Sequence, residues 1–232
     1  MSYWGDTSIS KLRRRLSVFV GTLLTACSTI PGIAALPGSS SSMATDLPRL
    51  EAQVLSELNS VRTNPAAYAA NLSPLLTMFT GTVLQRPGWS FPVQTNEGAA
   101  AVREAIDALA KQPAVPRLTL DPALSTAARD LANDQSRTGA VGHTSSDGAS
   151  PADRISRYGT WAISYGENVD YGAVTSGRDV VEDMLIDDGV PSRGHRINTF
   201  DASARVLGVG CAPHPKYGLV CVIDQAGSFV PR

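Results

Sequence analysis

"RVLGVGCAPHPKYGLVCVID", residues 205–224, holds two β-branched runs separated by a Pro- and Gly-containing break. Runs of that kind around a turn read as paired antiparallel strands. The midpoint between Cys211 and Cys221 falls at Lys216, inside the turn. A hairpin therefore sets the two cysteines opposite each other, where a disulfide can form; two buried thiols are the other reading, since free cysteine behaves as a small hydrophobe. His214, in "PHPKYG", reads as an exposed turn residue.

Upstream of the hairpin the periodicity is helical. Asp46 caps a segment with apolar positions Leu50, Val54, Leu58 and Val61, and Asn64-Pro65 breaks or re-aims it. Residues 72–96 show no sustained period and read as irregular. A second helix is expected over Glu97 to Lys111. The third has the clearest punctuation: Asp121 at the cap, Pro122 at the first helical position, Leu124, Ala127, Ala128, Leu131 and Ala132 on one face, and Gly139 past the end. "SGRD" at 176–179 has capping-box spacing and opens a fourth, through Val180, Val181, Met184 and Leu185 to Gly189. Helices first and strands afterwards, without regular alternation, define an α+β protein rather than a doubly wound sheet.

The N-terminal part reads differently. "KLRRR" (11–15) followed by the apolar "LSVFVGTLLTA" (16–26) has the layout of an export signal and is too short to span a bilayer. "LTAC" ends at Cys27 and resembles a lipobox, whose cysteine would carry the lipid, whereas "GIAA" offers a competing cleavage site that releases a soluble protein. The organisation expected is a signal peptide over 1–27, a Ser/Pro/Gly linker over 28–45 and one domain over 46–232. An exported chain meets an oxidising compartment in which a Cys211–Cys221 bridge survives. Twenty Lys and Arg against 21 Asp and Glu leave a net charge of -1, which excludes a nucleic-acid binder.

The chemistry-bearing residues lie in separate segments. His143 follows the third helix, Glu167 sits in "YGENVDYG", Asp187 and Asp188 close the fourth helix, and His195 lies in "RGHRIN". Two imidazoles and one or two carboxylates suit a divalent metal such as zinc. Equally, they can form a metal-free hydrogen-bond network. No "HExxH" spacing is present, and Ser145, Ser146 and Ser192 lie in no "GxSxG" elbow, so nucleophilic catalysis is not indicated. Arg193 and Arg196 flank His195 as a solvated face or as partners for acids or an anionic ligand; Asn168 and Asn198 read as backbone ties.

In order, "HTSSDGASPADRI", "YGENV", "VVEDMLIDDG", "GHRIN" and "LGVGC" resemble the CAP superfamily of cysteine-rich secretory, antigen 5 and pathogenesis-related class-one proteins, in a bacterial SCP-like form. The resemblance runs from about residue 48 to the end and implies a three-layer α-β-α sandwich. It implies a cleft of two histidines and two acids, carried here by His143, Glu167, His195 and Asp187, with His143 and His195 as the metal-facing pair. Met184 and Asp187 stand where the family pattern has Trp and Glu, while helical projection favours Asp188, so either carboxylate can be the inward one.

Implied with the fold is an exported binding or interaction module at the envelope or outside the cell. Its ligand would be a lipid, a small molecule or an envelope component, membrane contact would run only through the N-terminal anchor, and no cofactor would be required. A metal-dependent hydrolase of peptides or envelope polymers is the alternative. An apolar groove around Trp89 and Phe91 is a third site to consider; two aromatics in a Pro-rich loop otherwise plug a core.

Overall fold

The computed structural model describes residues 46–89 and 91–232; the expected signal peptide, Cys27 and the linker lie outside the described residues. Helix α1 (Leu47–Thr63) starts at Asp46, whose side chain accepts from the Arg49 amide, and its face of Leu50, Val54, Leu58 and Val61 is buried. At Asn64-Pro65 the chain turns into α2 (Pro65–Leu72). The stretch expected to be irregular holds a short 3-10 helix and three two-residue antiparallel strands: β1 (Phe79–Thr80), β2 (Val83–Leu84) and β3 (Val93–Gln94). Helix α3 (Ala99–Lys111) follows, then β4 (Thr119–Leu120) and α4 (Pro122–Thr138), which begins at the Asp121 cap and ends at left-handed Gly139.

Beyond α4 come α5 (Pro151–Tyr158), β5 (Gly159–Gly172), α6 (Gly177–Ile186), α7 (Gly194–Thr199), β6 (Val206–His214) and β7 (Gly218–Pro231). The main sheet has the order β4-β6-β7-β5, with β4 parallel to β6 and the other pairs antiparallel. Helices α4 and α5 cover one face; α1, α6 and α7 lie on the other. The result is the α-β-α sandwich that the resemblance implies, in agreement with the coarser α+β reading.

The period-2 pleat of β6 explains how three layers close on one strand. Leu207, Val209 and Cys211 join the core with α1, whereas Ala212 packs with Ala128, Leu131 and Ala132 of α4. Between them, Gly208 and Gly210 face α4 so closely that an added Cβ would lie 2.1 Å from the Leu124 carbonyl carbon and 2.4 Å from the Arg129 nitrogen. The helix axis can approach the sheet only because those side chains are missing. Beyond β4 the edge of β6 is satisfied by side chains: the Val209 amide donates to Ser125 Oγ at 3.3 Å and the Cys211 amide to Glu51 at 3.0 Å. Cys211 and Cys221 are register partners, their Cα atoms 4.1 Å apart, and are disulfide-bonded, the first of the two readings of the hairpin.

The β1–β3 segment is fastened to α6 by Arg86. Its guanidinium donates to Asp179 (3.0 Å), Glu182 (2.8 Å) and Asp183 (2.9 Å), and it lies over Trp89, 5.0 Å from the ring centroid. Trp89 is thus a buried plug, and Phe91 beside it is exposed. Arg86, with Arg178 on Glu182, faces Asp170, Asp179, Glu182 and Asp183, which leaves excess negative charge. Desolvation pushes Asp183 up to about 6 despite Arg86, with the Asp179 and Glu182 charges adding, and Asp170 is raised in the same direction by burial and by Asp183.

The folded chain therefore retains a proton on Asp183 between about pH 4, where an unfolded aspartate titrates, and about 6. Stability falls as pH rises through that window, because the native state binds more protons than the unfolded one. Asp183→Asn removes this contribution and relieves Asp170, so thermal unfolding midpoints measured from pH 4 to 7 should decline less steeply than in the parent. An unchanged slope would rule the cluster out as its source.

Candidate functional site

Strand β5 is the spine of the site because its consecutive residues face opposite sides. Glu167 turns toward α5. Its Oε1 is 2.8 Å from His143 Nδ1, and its Oε2 accepts from the fully buried Arg154. The other Arg154 nitrogen donates to His143 O (2.9 Å), Ser145 Oγ (3.0 Å) and Ala149 O (2.9 Å), so one guanidinium holds both the acid and the loop that carries its histidine. Three further bonds fix the start of that loop. Gln135 donates to Gly142 O (2.7 Å), the Gly142 amide donates to Tyr171 Oη (2.8 Å), and Tyr171 donates to Gln135 Oε1 (2.9 Å); burial pushes the Tyr171 hydroxyl up to about 12.

Asn168, the next residue, faces the other way. It donates to His195 O (3.0 Å) and accepts from Asn198 (3.0 Å), whose amide also reaches Glu167 O at 3.4 Å. Asn198 O in turn accepts from Gln225 at 2.7 Å. Both asparagines tie backbone, from a strand and a helix rather than from loops.

The second imidazole has its own acid. Helix α6 stops at Ile186 because Asp187 adopts the left-handed conformation, φ 53°, which ends the helix three residues before Gly189. From there the Asp187 carboxylate accepts from the His195 amide at 2.9 Å and lies 2.7 Å from His195 Nδ1. Asp187 is therefore the inward residue. Asp188 points to the segment before α3 instead, accepting from the Asn96 amide (2.7 Å), the Asn96 side chain (3.0 Å) and the Glu97 amide (2.8 Å).

Arg193 and Arg196 are not a solvated face: Arg193 bonds Glu97 and Glu104, and Arg196 bonds Glu104. The Arg193 bond holds the Glu97 carboxyl down at about 2.

The structure thus gathers the four expected residues into two pairs, His143 with Glu167 and His195 with Asp187. In each the acid is almost fully buried, with side-chain exposures of 2% and 1%, and the imidazole is the accessible part, at 33% and 28%. In a neutral ring whose Nδ1 donates to the carboxylate, Nε2 carries the lone pair; neither Nε2 has a hydrogen-bond partner among the described residues. Among those residues no group of three or more His, Cys, Asp or Glu is disposed to hold a metal ion. Two Nε2 atoms fall short of the three protein ligands of a catalytic zinc.

Sequence reading missed two members of this network. Arg154 lies in α5, a helix signalled by the capping box Ser150-x-x-Asp153. Asp224 stands opposite Glu167 in register and is fully buried. Burial pushes it well above the ordinary carboxylate range, the Glu167 charge adding and Arg154 opposing. His214 is buried, contrary to expectation: Nε2 lies 3.0 Å from Ala140 O, Nδ1 accepts from the Lys216 amide at 3.2 Å, and the ring packs against Tyr171 and Tyr217.

With this geometry in place, the family model "CAP: Cysteine-rich secretory protein family" matches residues 55–224, and the chain belongs to that family. Comparison with curated protein sequences finds no match. Among solved structures, the chain is similar to an extracellular protein containing a SCP domain from Bacillus anthracis str. Ames (18% identity, TM-score 0.39, 56% of this chain and 38% of that one). It is also similar to an outer surface protein from Borrelia burgdorferi (20% identity, TM-score 0.41, 48% of this chain and 78% of that one). The match spans well under half of the Bacillus protein. Among the described residues no helix is long and apolar enough to cross a membrane.

The pairing dictates tautomers. Long-range proton–nitrogen correlation spectra at a pH where the rings are neutral should show His143 and His195 protonated on Nδ1, and His214 protonated on Nε2, where it donates to Ala140 O. Nε2-protonated rings at 143 and 195 would contradict the assignment of carboxylates as their partners.

Proposed function

We propose that this chain is an exported CAP-domain binding or interaction module, working at the cell envelope or outside the cell. Its recognition groups are the partly exposed His143 and His195, each backed by a buried acid. That arrangement is the observation that carries the reading: a carboxylate behind Nδ1 fixes the orientation of the ring and leaves Nε2 available to a ligand. The ligand class is a small molecule or an envelope component able to donate to Nε2. A divalent cation such as zinc, where bound, has His143 and His195 as protein ligands, with water or ligand completing its sphere.

Export rests on the leader-like residues 11–26 and on a disulfide suited to an oxidising compartment. Attachment to a membrane, in this reading, is through a lipid on Cys27 alone. The hydrolase alternative has less support. It needs a metal-bound water activated beside a third protein ligand, and the two imidazole–acid pairs do not supply one.

Zinc serves as the probe. Titrated into the full chain, it should shift the His143 and His195 ring signals, and either single alanine variant should weaken binding about tenfold or more. Casein and peptidoglycan should be hydrolysed only at background rates by the parent and by the double variant alike. Turnover by the parent that disappears in the double variant would replace this reading with the hydrolase.

A further inference from the structure

Away from the imidazoles, a cleft of about 320 Å3 lies between α4, α5 and the loop that joins them. One wall is a single face of α4, Asp130, Asn133, Asp134 and Arg137, at i, i+3, i+4 and i+7. The facing wall is Ser145 to Asp147, and Arg157 of α5 closes the end. We propose that this cleft is a second ligand site and that it takes a small, neutral, polyhydroxylated molecule of monosaccharide size.

The volume lies at the lower end of small-ligand sites, which run from about 300 to 1,000 Å3. Among the described residues no apolar side chain lines the cleft, which excludes lipid and other apolar ligands. Its charges are mostly paired, three carboxylates standing against two guanidiniums. Arg137 bonds Asp134 at 2.6 Å and Arg157 bonds Asp147 at 2.8 Å, so neither guanidinium awaits an anion. Asp134 also accepts from the Ser146 amide at 2.7 Å, and Asp147 from the Ala149 amide at 3.0 Å. What remains is hydrogen-bonding capacity: among the described residues the Asn133 amide has no partner, and Asp130 leaves Oδ1 open, its Oδ2 accepting from the Tyr158 hydroxyl at 2.7 Å and lying 3.9 Å from Arg157.

An amide that both donates and accepts, one helical turn from a carboxylate oxygen that accepts, matches adjacent ring hydroxyls, each of which does both. Their Cβ atoms are about 5–6 Å apart at this spacing, within the reach of one sugar ring. The walls are preorganised. Helix α4 is seated on Gly208 and Gly210, and the loop is held by Arg154 through Ser145 Oγ and Ala149 O. Rigid walls reduce the ordering cost of binding.

The test is an NMR titration of the isotopically labelled full chain with glucose, galactose and N-acetylglucosamine, each to about 50 mM, beyond the millimolar constants expected of a few hydrogen bonds. Sodium sulfate and calcium chloride serve as separate arms. At least one sugar should give saturable shifts of the Asn133, Ser146 and Asp147 amides. Asn133→Ala, an exposed position where alanine suits the helix, should weaken that binding about tenfold while leaving the zinc response of His143 and His195 intact. No saturable shift with any sugar, or equal affinity in Asn133→Ala, overturns the proposal. So does saturation of the same amides by sulfate or calcium where the sugars fail, which would make the cleft an ion site.

Discussion

The ion pair between Arg154 and Glu167 is the interaction on which the site depends. Both groups are withdrawn from water, so either one alone would leave an uncompensated charge, and together they draw partners to most of their remaining polar atoms, Arg154 Nε being without one among the described residues. That requirement reaches outward. Glu167 satisfies its second oxygen with His143, and Arg154 satisfies its second nitrogen with three oxygens of the 143–149 loop. A carboxyl as buried as Asp224 can stand next to the pair because burial keeps it from adding a second negative charge. Desolvation thus fixes a loop that has little apolar surface of its own.

The rest of the sandwich supplies the place where this pair can exist. Gly208 and Gly210 let α4 lie close against the sheet, and α4 in turn carries Gln135 and Gly139, from which the His143 loop departs. A different device serves His195. The left-handed turn at Asp187 ends α6 and brings its carboxylate to the start of α7, where it satisfies an amide that the short helix leaves open. The two halves meet at β5: Glu167 on one side, Asn168 on the other, and Asn198 bonded to both.

Much of the fold was legible where local chemistry is decisive. Asp121, Pro122 and Gly139 bracket a helix within a residue of the observed one, Ser176 and Asp179 form the capping box that their spacing implies, and the cysteine midpoint gives the hairpin register. Strand β5 was not legible, because "YGENVDYG" alternates between two polar tasks instead of between core and solvent. Helix α7 has six residues, too few to display a period. The choice between Asp187 and Asp188 could not follow from helical projection, since the helix has already ended at Ile186. His214 is the last residue of β6 rather than a turn residue, and its ring folds back on the segment after α4, a tertiary contact that local sequence does not encode.

A double-mutant cycle on Arg154 and Glu167, read by urea denaturation, tests the central claim most directly. If the pair is the buried keystone described above, Arg154→Met alone costs about 3–5 kcal/mol by stranding Glu167, and adding Glu167→Gln recovers a substantial part of that loss. Additive losses in the double variant, with no recovery, would show that the two residues are not coupled and that another interaction holds the His143 loop.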